Sequence, residues 1–290
     1  MTEAEGPRRS GGYHDGDVDS VISVDEVTRR VAEIAQHVSV DDLKALAGAP
    51  YLAIERLSAG YGRMEILHDL DLHVGRGQSL CLIGPNGAGK STVLHSIFGF
   101  TNIFDGAIRI GNDSEALDVT GLSPSDKLRR AGIAYILQDK SVFPGMTVEE
   151  NLWMGGFLKD EPAAAKEAAE RIFEKYLRLA ARRKHPAKVL SGGERRLLEI
   201  SRALVMNPEV LLVDEPSIGL EPRFIDMVFE ILDELQHGEG KTIVMVEQNA
   251  KKGLEFADIG YVLVSGQVAM AGRGDDLLAD PDVGKLFLGG

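Results

Sequence analysis

The run Gly84-Pro85-Asn86-Gly87-Ala88-Gly89-Lys90-Ser91-Thr92 has the residue types and spacing of a loop that holds phosphate. Gly87 and Gly89 carry no Cβ, so the backbone can curl and aim its N–H groups inward, and Gly84 and Asn86 complete the cradle. A helix beginning near Lys90 would bring its positive N-terminal end to the same phosphates. Lys90 supplies a point charge for the β- and γ-phosphates. Ser91 offers a hydroxyl to Mg²⁺, and Thr92 is placed for the α-phosphate. A second pair of reactive groups, Asp214 and Glu215, ends the apolar run Val210-Leu211-Leu212-Val213. In an open α/β sheet two acids at a strand's carboxyl end fall in the crevice beside such a loop. Asp214 suits Mg²⁺, held through water because this ion dehydrates reluctantly. Glu215 is the expected general base, polarising water for attack on the γ-phosphate, a role worth about 10²–10⁴ in rate. The chemistry implied is attack of water on the γ-phosphate of a bound nucleotide, with Mg²⁺.

These groups need a sheet to hold them. Tyr51–Leu57 and Ile66–Val74 alternate or run apolar like strands. Ser79-Leu80-Cys81-Leu82-Ile83 reads as a buried strand feeding the phosphate loop. Gly99–Ile110 returns to strand and turn signals, and Ile133–Leu137 is a further apolar strand. Thr147–Arg202 is mostly helical by composition. Val210–Val213 and Thr242–Val246 are Val/Ile/Leu-rich, as strands of a parallel sheet require. Ile259–Val264 and Val268–Met270 flank Ser265-Gly266-Gln267 as a hairpin. The expected fold is α/β, with residues 51–290 forming one nucleotide-binding unit.

Residues 1–50 differ in character. Met1 to Asp19 are small, polar and acidic, the composition of a disordered start. Ser23-Val24-Asp25-Glu26 reads as a capping box, and Val24, Val27, Val31, Ile34 and Val38 form one apolar stripe behind it. Ser39 could cap a second short helix carrying Leu43 and Leu46, ended by Gly48 and Pro50. Helices this short need a surface to dock on. Either this chain's own core provides it or the segment is a docking or dimerisation arm.

The totals narrow the function classes. The chain has 290 residues, 44% hydrophobic content and a formal net charge of −13. That charge argues against nucleic acid as a main partner, since phosphate neutralisation needs clustered Lys and Arg. Arg178, Arg182, Arg183, Lys184 and Lys188 form a local basic run whose bland reading is a solvated face. Cys81, the only cysteine, excludes an internal disulfide and reads as a packing thiol. No apolar run approaches the roughly 18 residues of a membrane span. A role in transport would therefore need separate membrane subunits.

Between the phosphate loop and the acid pair stands Leu190-Ser191-Gly192-Gly193-Glu194-Arg195. With this segment present, residues 51–290 resemble the ATP-binding cassette (ABC) ATPases. The resemblance implies a mostly parallel core sheet, an antiparallel β subdomain and a helical subdomain at about 139–202, here with a helical N-terminal extension. It implies that Ser191, Gly192 and Gly193 bind the γ-phosphate of ATP held by a second cassette, a sibling or another copy. Each ATP would then lie between one chain's phosphate loop and the other's signature. Gln138 matches the glutamine that senses Mg²⁺ and the membrane subunit, and Tyr61 the aromatic that stacks on adenine. Gln248 stands at the switch position, where His is common; its amide can hydrogen-bond a γ-phosphate oxygen but cannot become cationic. Glu221 stands where Asp is common in the dimer loop, which keeps the charge.

Val246-Glu247-Gln248-Asn249-Ala250, Ile218-Gly219-Leu220, Phe143-Pro144 and Thr147-Val148-Glu149-Glu150-Asn151-Leu152 narrow the resemblance further. They look like the ATPase subunits of branched-chain amino acid importers and their urea and amide relatives, where Gln at the switch position is familiar. That branch implies two transmembrane permeases, a partner ATPase and, indirectly, an extracytoplasmic solute-binding protein. It places the chain peripherally on the cytoplasmic face of the inner or plasma membrane. Two rival readings are an ABC ATPase working off the membrane in repair, translation or assembly, and a regulatory cassette that hydrolyses weakly. A simple P-loop kinase has no use for the Leu-Ser-Gly-Gly-Glu segment.

Overall fold

The structure is a computed structural model and describes residues 39–112, 116–138 and 141–287. The polar start and the helix expected from Ser23 lie outside the described residues. In chain order come α1 (Val40–Ala47), β1 (Pro50–Tyr61), β2 (Met64–Gly75), β3 (Ser79–Ile83), α2 (Lys90–Phe98), β4 (Asn102–Ile110) and β5 (Leu117–Asp118). Then follow α3 (Pro124–Arg130), β6 (Ile133–Ile136), α4 (Val148–Gly155), α5 (Pro162–Lys175), α6 (Leu177–Ala181) and α7 (Gly192–Leu204). The chain continues through β7 (Val210–Asp214), α8 (Pro222–Asp233), β8 (Thr242–Val246), α9 (Ala250–Phe256), β9 (Ile259–Val264), β10 (Gln267–Arg273), α10 (Gly274–Ala279) and α11 (Pro281–Phe287).

Two sheets result. One is antiparallel, ordered β2-β1-β4-β5, and the other is ordered β10-β9-β3-β8-β7-β6. In the second, β9, β3, β8, β7 and β6 run parallel, and only β10 is antiparallel, joined to β9 through Ser265-Gly266. Both turn residues have positive φ, 48° and 78°, as a tight two-residue hairpin demands. The expected mostly parallel core with an antiparallel partner sheet is what forms.

Alternation along the parallel strands sorts side chains into two cores. Cys81, Ile83, Leu211, Val213, Ile243 and Met245 face the helical side, where they join Leu197, Leu198 and Ile200 of α7. Leu80, Leu82, Leu212, Val244 and Val246 face the other side, against α2 and the antiparallel sheet. Burial on both faces explains why these strands read as unbroken apolar runs. The Cys81 thiol is fully buried and pushed up by that burial, which fits a packing role.

The helix expected after Ser39 is α1. Ser39 and Asp42 cap it reciprocally, and Gly48, at φ 68°, ends it. Leu43 and Ala47 are buried and join the core that contains β1 and β2. This helix packs on the chain's own sheet. Three members of the basic run are paired: Arg182 with Glu194, Arg183 with Glu149 and Glu170, and Lys184 with Glu149.

Candidate active site

Four adjacent parallel strands deliver the reactive groups to one edge. In sheet order β3 leads into the phosphate loop, β8 into Glu247-Gln248, β7 ends at Asp214-Glu215, and β6 leads into Leu137-Gln138. Parallel strands place all four carboxyl ends on the same side, where such sheets bind ligands.

The phosphate loop leaves β3 at Gly84, whose φ is 146°. A Cβ there would lie 2.2 Å from the Leu263 carbonyl oxygen of β9, so only glycine lets the loop start this close to the sheet. Gly89 caps α2 in the left-handed region, φ 98°. Among the described residues, the N–H groups of Gly87 and Gly89 have no backbone acceptor. Lys90 is buried, and its Nζ donates to the Gly84 and Pro85 carbonyls at 2.8 and 2.9 Å. Burial lowers the Lys90 pKa from its ordinary value, while Glu215 and Asp214 oppose the shift. Free loop amides, a helix N-terminus and a buried cation together fit a polyphosphate.

Ser91 and Asp214 meet as the metal reading requires, with the Ser91 hydroxyl 3.2 Å from Asp214 Oδ1. The second oxygen, Oδ2, accepts the Tyr135 hydroxyl at 2.8 Å. The two donor atoms are hard oxygens, which suits Mg²⁺. Glu215 has φ 42°, a strained value for a side chain with a Cβ, and its N–H donates to the Val246 carbonyl at 2.9 Å. Gln138 Nε2 donates to Glu215 Oε2 at 2.7 Å. Burial, then the nearby Asp214 and Glu247, raise the Glu215 pKa above the ordinary range, with Lys90 pulling the other way. A carboxylate so raised is a better proton acceptor.

Tyr61 ends β1 with its ring 41% exposed, and its hydroxyl meets Nδ1 of His95 on α2. Burial lowers the His95 pKa, against the pull of Asp214, which favours the neutral ring that can accept that hydrogen bond. His95 also lies edge-on to Tyr135, with centroids 5.8 Å apart. An aromatic cluster thus runs from Tyr61 to the Asp214 carboxylate. Gln248 is exposed in the loop after β8. Its neighbour Glu247 is buried and accepts from Ser217 Oγ at 2.7 Å and from the Asn249 N–H at 2.9 Å, which ties the switch loop to the loop after Glu215.

The signature sits elsewhere. Ser191 caps α7, and Glu194 reaches back to the Ser191 N–H at 2.9 Å. Ser191 and Gly192 are exposed. Gly193 is buried, and a Cβ there would lie 2.2 Å from the Phe224 ring on α8. Among the described residues no hydrogen bond joins Ser191–Gly193 to the phosphate loop. The structure thus brings together Lys90, Ser91, Gln138, Asp214 and Glu215; of the signature residues, Gly192 lines a small cavity with Gln138, and Gly193 is buried. Tyr135, His95 and Arg196 were not singled out from sequence. Each acts through a contact distant in the chain, and none stands in a spacing that signals it.

The ABC transporter family model matches residues 67–218, a span that holds the phosphate loop, Gln138, the signature and the acid pair. The chain is 41% identical over 239 residues to the high-affinity branched-chain amino acid transport ATP-binding protein BraG of Pseudomonas aeruginosa, covering 82% of this chain and 100% of that one. It is 37% identical over 234 residues to the probable branched-chain amino acid transport ATP-binding protein LivF of Archaeoglobus fulgidus, covering 81% and 97%. Among solved structures, a nucleotide-free ATP-binding cassette from an ABC transporter superposes with a TM-score of 0.72 at 30% identity, covering 83% of this chain and all of that one. The ADP conformation of an ATP-binding cassette of an ABC transporter gives 0.71 at 30% identity, covering 83% and 99%. This chain belongs to the ABC transporter family, as one of its ATP-binding ATPase subunits.

Proposed function

We propose that the chain powers an importer of branched-chain or other small amino acids or amides. It would sit peripherally on the cytoplasmic face of the membrane, against two transmembrane permeases. A second cassette, sibling or self, would complete its ATP sites, and an extracytoplasmic solute-binding protein would act at a distance through the permeases. The observation that carries the ATPase half of the reading is the convergence of Lys90, Ser91–Asp214 and Gln138–Glu215 on one sheet edge. The likeness to branched-chain amino acid transport ATP-binding proteins supports the substrate class.

In this reading the amides of Asn86, Gly87 and Gly89, with Lys90 and Thr92, hold the phosphates, and Tyr61 carries adenine. Lys90 must leave the Gly84 and Pro85 carbonyls to meet the β- and γ-phosphates. Ser91, Asp214 and Gln138 would hold Mg²⁺, which when bound offsets phosphate charge. Glu215 takes the proton from the attacking water. Gln138 gives up its bond to Glu215 as the nucleotide arrives, which frees the base and couples the site to the membrane face. Gln248 donates to the γ-phosphate. Ser191, Gly192 and Gly193 meet the γ-phosphate of the opposite cassette through the N-terminus of α7.

The test is purification of tagged chain from detergent-solubilised membranes, then reconstitution of the recovered complex in liposomes. ATP turnover stimulated by a branched-chain amino acid and its binding protein is the expected result. Recovery of soluble proteins or nucleic acid alone would overturn the transport reading.

A further inference from the structure

Where β6 and β7 part, a buried arginine takes over from the ladder. Their last paired residues are Ile136 and Val213. The next carbonyls, those of Leu137 and Asp214, no longer belong to a shared ladder. Arg196, on α7, fills the gap. Its Nη1 donates to the Leu137 carbonyl at 2.8 Å, and its Nη2 lies 3.4 Å from the Asp214 carbonyl. Nη1 also donates to Glu199 Oε2 at 3.0 Å, one turn along the same helix. Arg196 and Glu199 are 4% and 8% exposed.

The two carbonyls belong to the residues just before Gln138 and Glu215. One planar guanidinium therefore bridges the backbone at both groups of the 2.7 Å Gln138–Glu215 contact. It does so from the helix whose N-terminus is the signature. We propose that Arg196 is a positioning residue for hydrolysis, fixing Gln138 and Glu215 relative to each other and to the signature helix, with Glu199 holding the guanidinium in register. The inference rests on Glu215 being the base. Lysine cannot replace the fork, because an ammonium does not present two parallel donors in a fixed plane. Misplacement of reacting groups by about 1 Å can cost on the order of 10²-fold in rate, so a small slip here is enough.

The rival role is structural, an ion pair that merely seats α7 on the sheet. Replacing a buried ion pair by apolar residues of similar volume is often neutral for stability, so the double variant Arg196→Met/Glu199→Leu separates the two. Hydrolysis of MgATP by the full chain is measured in single turnover, with affinity for a fluorescent ATP analogue and Tm alongside. The expected result is a near-wild-type Tm and affinity with the hydrolysis rate reduced at least about ten-fold. A rate within about two-fold of wild type overturns the proposal. Should the double variant fail to fold, Arg196→Lys keeps the charge for Glu199 and loses the fork. It is expected to lower kcat at least about five-fold with KM for ATP unchanged. Full activity in Arg196→Lys overturns the proposal equally. Glu215→Gln run in parallel keeps the two readings apart. If it retains turnover, the base assignment falls and this inference with it. If only it loses turnover, the role of Arg196 alone falls.

Discussion

The phosphate-loop crevice and the signature end of α7 both present a helix N-terminus but hold their side chains to different degrees. In the crevice the reactive groups hold one another: Lys90 on the loop carbonyls, Ser91 and Tyr135 on Asp214, Gln138 on Glu215. At the signature, Ser191 and Glu194 satisfy only the helix end itself, and the surface beyond stays exposed. A crevice whose groups are cross-linked can bind nucleotide alone. On the proposed function, the exposed N-terminus of α7 at Ser191-Gly192 would be a half-site that gains its ligand when another cassette supplies it. The contrast is why hydrolysis and association should be separable by mutation.

The largest effect should come from the crevice. Glu215→Gln is expected to keep ATP affinity and lower the hydrolysis rate by about 10²–10⁴. Unchanged phosphate release would remove Glu215 as the base. The matching break at the other region is Gly193→Ala. Its Cβ would lie 2.2 Å from the Phe224 ring, so the ring or α7 must shift. The expected outcome is ATP binding within about two-fold of wild type with ATP-driven dimerisation lost, checked by light scattering in the Glu215→Gln background; overpacking of this kind typically costs 1–3 kcal/mol. Dimers forming normally would mean that the signature tolerates the shift and that the half-site description is wrong.

That separation was partly visible before any coordinates. The phosphate loop, the acid pair and the capping box at Ser191–Glu194 are local patterns, and local spacing carries their geometry. The apolar runs also sufficed for a parallel sheet, because burial on both faces leaves no polar alternation. The order of the strands was not legible, and the cross-strand chemistry depends on it. Tyr135 reaches Asp214, and Arg196 reaches Leu137 and Asp214, only because β6 lies beside β7 at the sheet edge. Gln138 was expected at the metal, and its partner in the structure is Glu215. Tyr61 was expected on adenine, and its hydroxyl is already engaged by His95. These protein partners come from topology, which local spacing does not carry.

A smaller effect should sharpen the account of the crevice. Tyr135→Phe removes the hydrogen bond to Asp214 Oδ2 and leaves the aromatic cluster in place. A hydrogen bond to a charged group contributes about 1.5–3 kcal/mol. With Oδ2 released, Asp214 can rotate away from Ser91. The Mg²⁺ concentration giving half-maximal turnover should rise about ten-fold or more, with ATP affinity in EDTA unchanged. No change in the Mg²⁺ requirement would show that Asp214 needs no such anchor.

The smallest effect is a displacement of the pH profile, and its sign follows from the burial of Glu215. A general base must be ionised, so turnover falls as pH drops through its pKa. Burial, Asp214 and Glu247 raise that pKa, and Lys90 only partly offsets them. The acid limb of kcat/KM for MgATP, which reports the free enzyme, should therefore lie above the ordinary glutamate value of about 4.3. Glu247→Gln removes one of the charges that raise it and keeps a side-chain oxygen for Ser217 Oγ. The limb should move toward lower pH in that variant while the plateau rate changes little. Glu194→Gln makes the corresponding change at the signature end, where Glu194 accepts the Ser191 N–H and is not among the charges that shift Glu215. Its limb should stay where the wild type has it. A limb that moves in Glu194→Gln but not in Glu247→Gln would mean that the titrating group lies at the signature, and the contrast between the two regions would be reversed.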